Sequence, residues 1–171
     1  FSRFLTDIFN NLSNWLYNAA LNTGDIMKTK NNIADKGHLF QKKNKVSVWV
    51  SNFPYAEIPD DYFEESFSKK NTRATNQWTK NFKMRYFLPE FLETNGSMQG
   101  TIKIREAVKA CSYSDSFIEN LMSKAKKKDL IDVTWVVLLY EYEYSSKVTN
   151  IYKDEYLRML GAFNYDAEEE F

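Results

Sequence analysis

Residues 133–144 read V-T-W-V-V-L-L-Y-E-Y-E-Y, and the reading of these twelve residues decides the fold. They contain no Gly or Pro and are dominated by β-branched and aromatic types, which favours a strand over a helix. Val133, Trp135, Val137 and Leu139 line one side; Val136, Leu138 and Tyr140 line the other. A strand apolar on both sides belongs in the middle of a sheet, covered above and below. From Tyr140 the alternation becomes strict, with Glu141 and Glu143 opposite Tyr140, Tyr142 and Tyr144. The strand is therefore expected to leave the core as a ribbon, acid on one side and phenol on the other, suited to a partner.

Working outward, Val46 to Phe53 (V-S-V-W-V-S-N-F) is a clearly alternating strand stopped by Pro54. Tyr156 to Phe163 gives a last strand, and both are expected to flank the 133–144 strand. Pro59, Asp60 and Asp61 look like a helix start, with Phe63 and Phe67 as its inward pair. Residues 68–77 read as a loop. Trp78 and Phe82 fit a short helix, and 95–100 a turn. Ile104, Ala107, Val108 and Cys111 mark a one-sided helix. Ser112 or Ser114 is expected to cap the next helix, whose inner face holds Phe117, Ile118, Leu121, Met122 and Ala125. Lys124, Lys126, Lys127 and Lys128 at its end offset the helix dipole. The class is α+β: a mainly antiparallel sheet of three or more strands with helices packed on it, plus an N-terminal amphipathic helix.

That first helix covers residues 1–22, with Phe4, Ile8 and Trp15 on an apolar stripe. Its polar face is Ser, Thr and Asn with few charges, which favours docking on protein over lipid, with a swapped or self-associated homodimer slightly ahead of the helix folding back on its own domain. The chain opens on Phe1, which points to a start further upstream or a processed terminus. Met27 offers a second start for the main domain. The organisation is thus 1–26 helical extension, 27–45 lysine-rich linker and 46–171 main domain.

The bulk numbers exclude more than they assign. Lys+Arg 23 against Asp+Glu 23 leaves no net field for nucleic acid or an anionic membrane. Aromatics make up 16% of the 171 residues, which suits both a core and a recognition surface. One cysteine excludes an internal disulfide and fits a reducing cytoplasm. No apolar run is long enough to span a bilayer.

No Gly-rich phosphate loop, HExxH, GxSxG or CxxC occurs. His38 has no Cys or His partner for a metal, and Cys111 on an inner helix face reads as a small buried hydrophobe. Lys80, Lys83 and Arg85 among aromatics carry little weight for nucleic acid at zero net charge. The remaining constellations are carboxylates: Asp60, Asp61 and Glu64, then Glu90 and Glu93, then Glu141 and Glu143. With Tyr86, Tyr142 and Tyr144 they are the candidate partner-binding residues. The competing readings are an enzyme using surface carboxylates and an adaptor or scaffold module.

Five pieces, in order, resemble the immunity protein 22 family of bacterial polymorphic-toxin systems. They are V-S-V-W-V-S-N-F at 46–53, W-T-K-N-F-K-M-R-Y-F-L-P-E-F-L-E at 78–93, C-S-Y-S-D-S-F-I-E at 111–119, V-V-L-L-Y-E-Y-E-Y at 136–144 and L-R-M-L-G-A-F-N-Y at 157–165. The resemblance covers about residues 45–165. It implies a small α+β domain in the bacterial cytoplasm that binds a cognate toxin and blocks it, with no cofactor and no chemistry of its own. Where the family is acidic before and within the Phe/Tyr segment, this chain carries Lys69, Lys70, Arg73, Asn81 and Leu88. Acid-based contact is not carried over at those positions.

Overall fold

The computed structural model describes residues 37–67 and 73–168. The expected N-terminal helix, with Phe4, Ile8 and Trp15, lies outside them.

Four strands form the main sheet: β1 (Gln41–Ser51), β4 (Leu92–Gly96), β7 (Trp135–Tyr142) and β8 (Arg158–Asn164). The order is β4-β7-β1-β8, antiparallel at every junction. Between them come two short ladders, β2 (Ser66–Phe67) with β3 (Ala74–Thr75) and β5 (Ile102–Lys103) with β6 (Asp132–Val133). The helices are α1 (Gln77–Asn81), α2 (Ile104–Lys109), α3 (Ser114–Lys127) and α4 (Ser146–Thr149). The α+β class stands.

β7 is an inner strand, as its two apolar faces require, and Trp135 to Tyr140 are all buried. Its neighbours are β1 and β4; β8 pairs with β1 instead, which corrects the expected flanking. β4 was not expected at all, because L-E-T-N-G has no β-branched or aromatic run. Its state is set by pairing with β7 and by the Asn95 amide, which donates to the Ala107 carbonyl (2.8 Å). At Gly96 a Cβ would lie 2.3 Å from the Thr134 carbonyl oxygen, so only glycine lets the two backbones approach this closely. β1 starts at Gln41, earlier than Val46, and the backbone of His38 bridges Lys83 and Arg85 (2.8 and 2.9 Å).

Each sheet face has its own cover. On one, Tyr113 and Phe117 at the start of α3 meet Tyr140 and Phe163. Neither Ser112 nor Ser114 caps α3: Tyr113 takes the cap position at φ +54°, and the Ser114 hydroxyl donates back to the Lys109 carbonyl (3.1 Å). On the other face Trp49 packs edge-on against Trp78 and Phe82 from α1, with ring centres 5.0 and 5.7 Å away. α1 is closed by a reciprocal pair: Asn76 accepts from the Thr79 N–H, and Thr79 accepts from the Asn76 N–H.

Burial pushes the phenols of Tyr62, Tyr140, Tyr142 and Tyr165 well above their ordinary range. An unfolded phenol ionises near pH ~10, whereas these stay protonated in the fold. A raised folded pKa contributes stability that is complete below about pH 10 and falls as pH rises beyond it. Each such tyrosine should cost about 1.4 kcal/mol per pH unit there. Urea midpoints should therefore drop steeply between about pH 10 and about pH 11; a flat profile would contradict these burials.

Candidate functional site

The predicted carboxylates do not form one patch. They fall into three groups along the sheet, and the backbone explains the separation.

Glu141 and Glu143 sit where β1 begins and β7 ends. Glu141 adopts φ +60°, a left-handed conformation that is costly for a residue with a Cβ, opposite Asn44 at φ +58°. The register slips between Gln41 and Val46, so this is a bulge, and it changes the phase of the strand. Tyr140 faces α3, whose preceding Ser112 carbonyl accepts its hydroxyl (2.6 Å). Tyr144 instead packs beside Phe40, Trp49 and Phe82 in the opposite layer. The expected single phenol face is thereby corrected. Tyr86, Tyr142 and Tyr144 are only 8%, 1% and 3% exposed, so none offers a phenol to a partner in this conformation.

The two acids are engaged internally. Glu141 accepts from the Asn44 N–H (3.0 Å) and the Tyr165 hydroxyl (2.5 Å). Glu143 pairs with Lys42 and Lys45 (2.5 and 2.9 Å), which hold its carboxyl below the usual carboxylate range.

Glu93 lies on β4 and Glu90 on the turn just before it. Glu90 is exposed on the 3-10 turn Pro89–Phe91. Glu93 is half-buried and accepts from the Ser112 N–H (3.0 and 3.3 Å). Cys111 nearby is buried; burial, then the Glu93 charge, pushes its thiol up to about 12. It donates weakly to the Ala107 carbonyl (3.4 Å) and reads as structural. Cys111→Ala should cost about 1 kcal/mol of stability through a small cavity. Urea unfolding measures that cost, and a loss well above about 3 kcal/mol would overturn that role.

Asp60, Asp61 and Glu64 form the third group, at the far end of β1, and all three are exposed. Pro59 opens not an α-helix but a 3-10 turn, Asp60–Tyr62, so the expected inward pair changes. Tyr62 is buried, Phe63 half-buried, and Phe67 is 55% exposed on β2. The turn is pinned from below. Edge-to-face contacts run Phe53–Tyr156–Tyr62–Phe63–Trp135–Tyr55, with ring centres 4.7 to 5.3 Å apart. The Tyr62 hydroxyl and the Asn81 amide donate to one oxygen of Asp154; the N–H groups of Tyr156 and Leu157 donate to the other (3.0 and 2.8 Å). Asp154 is a structural residue that no local sequence pattern marks.

Between Phe53 and Phe67 the chain carries Glu57, Asp60, Asp61, Glu64 and Glu65 and no base. Among the described residues none of these five carboxylates is in an ion pair. This end is an acidic surface with exposed Tyr55 and Phe67 beside it. Its composition suits recognition of a basic protein surface. Among the described residues no group of His, Cys, Asp and Glu could hold a metal ion, and no helix is long and apolar enough to cross a membrane.

The family described as Immunity protein 22 matches residues 46–166, which hold all of the main sheet except the start of β1, with α1 to α4. The chain belongs to this family. No curated protein and no solved structure matches it. The match begins at Val46, so the lysine-rich start of β1 and everything before it lie outside the part shared with the immunity protein 22 family.

Proposed function

We propose that this immunity protein 22 family member binds a cognate bacterial toxin non-covalently and occludes it, acting in the cytoplasm and catalysing nothing. The observation that supports this best is the acidic end at Glu57, Asp60, Asp61, Glu64 and Glu65: charges with no ion-pair partner among the described residues, beside a turn anchored by Tyr62 and Asp154. A loop free to relax would spread such charges. Holding them together is what an interface for a Lys- and Arg-rich partner requires.

Glu141 and Glu143 contribute to this reading through the bulge they stabilise. Lys42, Lys45 and Tyr165 already occupy them. Tyr86, Tyr142 and Tyr144 support the fold behind the surface. The stripe carrying Phe4, Ile8 and Trp15 lies outside the described residues, and self-association through it rests on the sequence pattern. Calorimetric titration of the purified toxin with the full chain tests the proposal. A saturable complex at one equivalent is expected, and turnover of a small molecule by the isolated chain would overturn it.

A further inference from the structure

The sheet has two outer edges, and they are treated differently. At β8 the Lys128 ammonium donates to the carbonyls of Met159 and Leu160 (3.0 and 2.9 Å), and the Met159 N–H donates to the Tyr152 carbonyl (2.7 Å). Lysine and a folded-back segment are ordinary means of closing a strand edge to other chains. At β4 there is no counterpart. Leu92 to Gly96 pair with β7 on one side only. The Leu92 N–H donates to the Pro89 carbonyl, but among the described residues nothing accepts from the outward N–H groups of Thr94 and Gly96.

β4 also contains no Lys or Pro, and Thr94 and Gly96 are exposed. An edge strand with unpaired backbone groups is a template for one more strand. The surrounding charge says what kind. From Tyr86 to Ile102 the chain carries Glu90 and Glu93 and no base, and neither acid is in an ion pair among the described residues. Opposite charges on directly paired strands stabilise the pairing, and like charges oppose it.

We infer that the outer edge of β4 receives an extended, Lys- or Arg-bearing strand of the toxin, which lengthens the sheet to five strands. The inference rests on the toxin-binding reading above and adds where and how the toxin is held. β4 residues alternate, so Glu93 and Asn95 stand on the α2 side and Leu92 and Thr94 on the other. A basic residue of the incoming strand is placed on the α2 side, opposite Glu93.

Hydrogen–deuterium exchange of the full chain, alone and with its cognate toxin, tests this. The outward amides of Thr94 and Gly96 should exchange at least about tenfold more slowly in the complex. Glu90→Lys should weaken toxin binding several-fold and reduce its salt dependence, with unfolding unchanged. If the toxin binds but exchange over 92–96 is unaltered, the strand-addition inference is wrong and the inhibitor reading survives. If the toxin does not bind at all, both fall. Protection of the outward Thr94 and Gly96 amides in the free chain would also overturn the inference. A doubled mass would then assign the edge to a second copy, and an unchanged mass to another segment of the same chain.

Discussion

Changing Asp60, Asp61 and Glu64 together to lysine is expected to weaken toxin binding by about a hundredfold, or about 3 kcal/mol. The three carboxylates are exposed and have no ion-pair partners among the described residues, so their replacement removes attraction without breaking an internal bond. Glu57 and Glu65 flank them, and the variant should even lessen repulsion inside the loop. Stability should therefore stay within about 0.5 kcal/mol of the parent chain. The loss should appear mainly as slower association, and it should shrink as salt is raised. A triple variant with wild-type affinity and salt dependence would remove this end of the sheet from the interface.

Trp49→Ala is expected to destabilise the chain by about 3–5 kcal/mol, a large share of what a domain this size possesses. Trp49 is fully buried and touches Trp78, Phe82 and Tyr144, so its removal empties the centre of one covering layer. Its indole N–H has no acceptor among the described residues. The cost is therefore packing, with no hydrogen bond to lose, and Trp49→Phe should cost well under half as much. Urea unfolding of the two variants reads the difference directly. An alanine variant within about 1 kcal/mol of the parent would show that this layer does not stabilise the fold as described.

The two central strands were legible because burial wrote itself into residue type. V-S-V-W-V-S alternates, V-V-L-L does not, and the structure places both inside the sheet. β4 was illegible for the converse reason: nothing in L-E-T-N-G prefers extension, and its neighbour β7 imposes it. The candidate site was half-readable. Exposure of Asp60, Asp61 and Glu64 followed from their polarity. The separation of Glu141 and Glu143 from them did not, because alternation counts residues and is blind to dihedral angle. At one left-handed residue, Glu141, the alternation breaks, and Tyr144 packs in the layer opposite Tyr140. Asp154 illustrates the same limit, since its partners Tyr62 and Asn81 lie far away in sequence.

The most direct measurement is the activity of the purified cognate toxin titrated with the full chain. Activity should fall linearly and vanish near one equivalent, with the toxin recovered intact and active after dissociation. Full toxin activity at saturating chain would contradict non-covalent occlusion, as would inhibition that persists after the chain is removed because the toxin has been chemically altered.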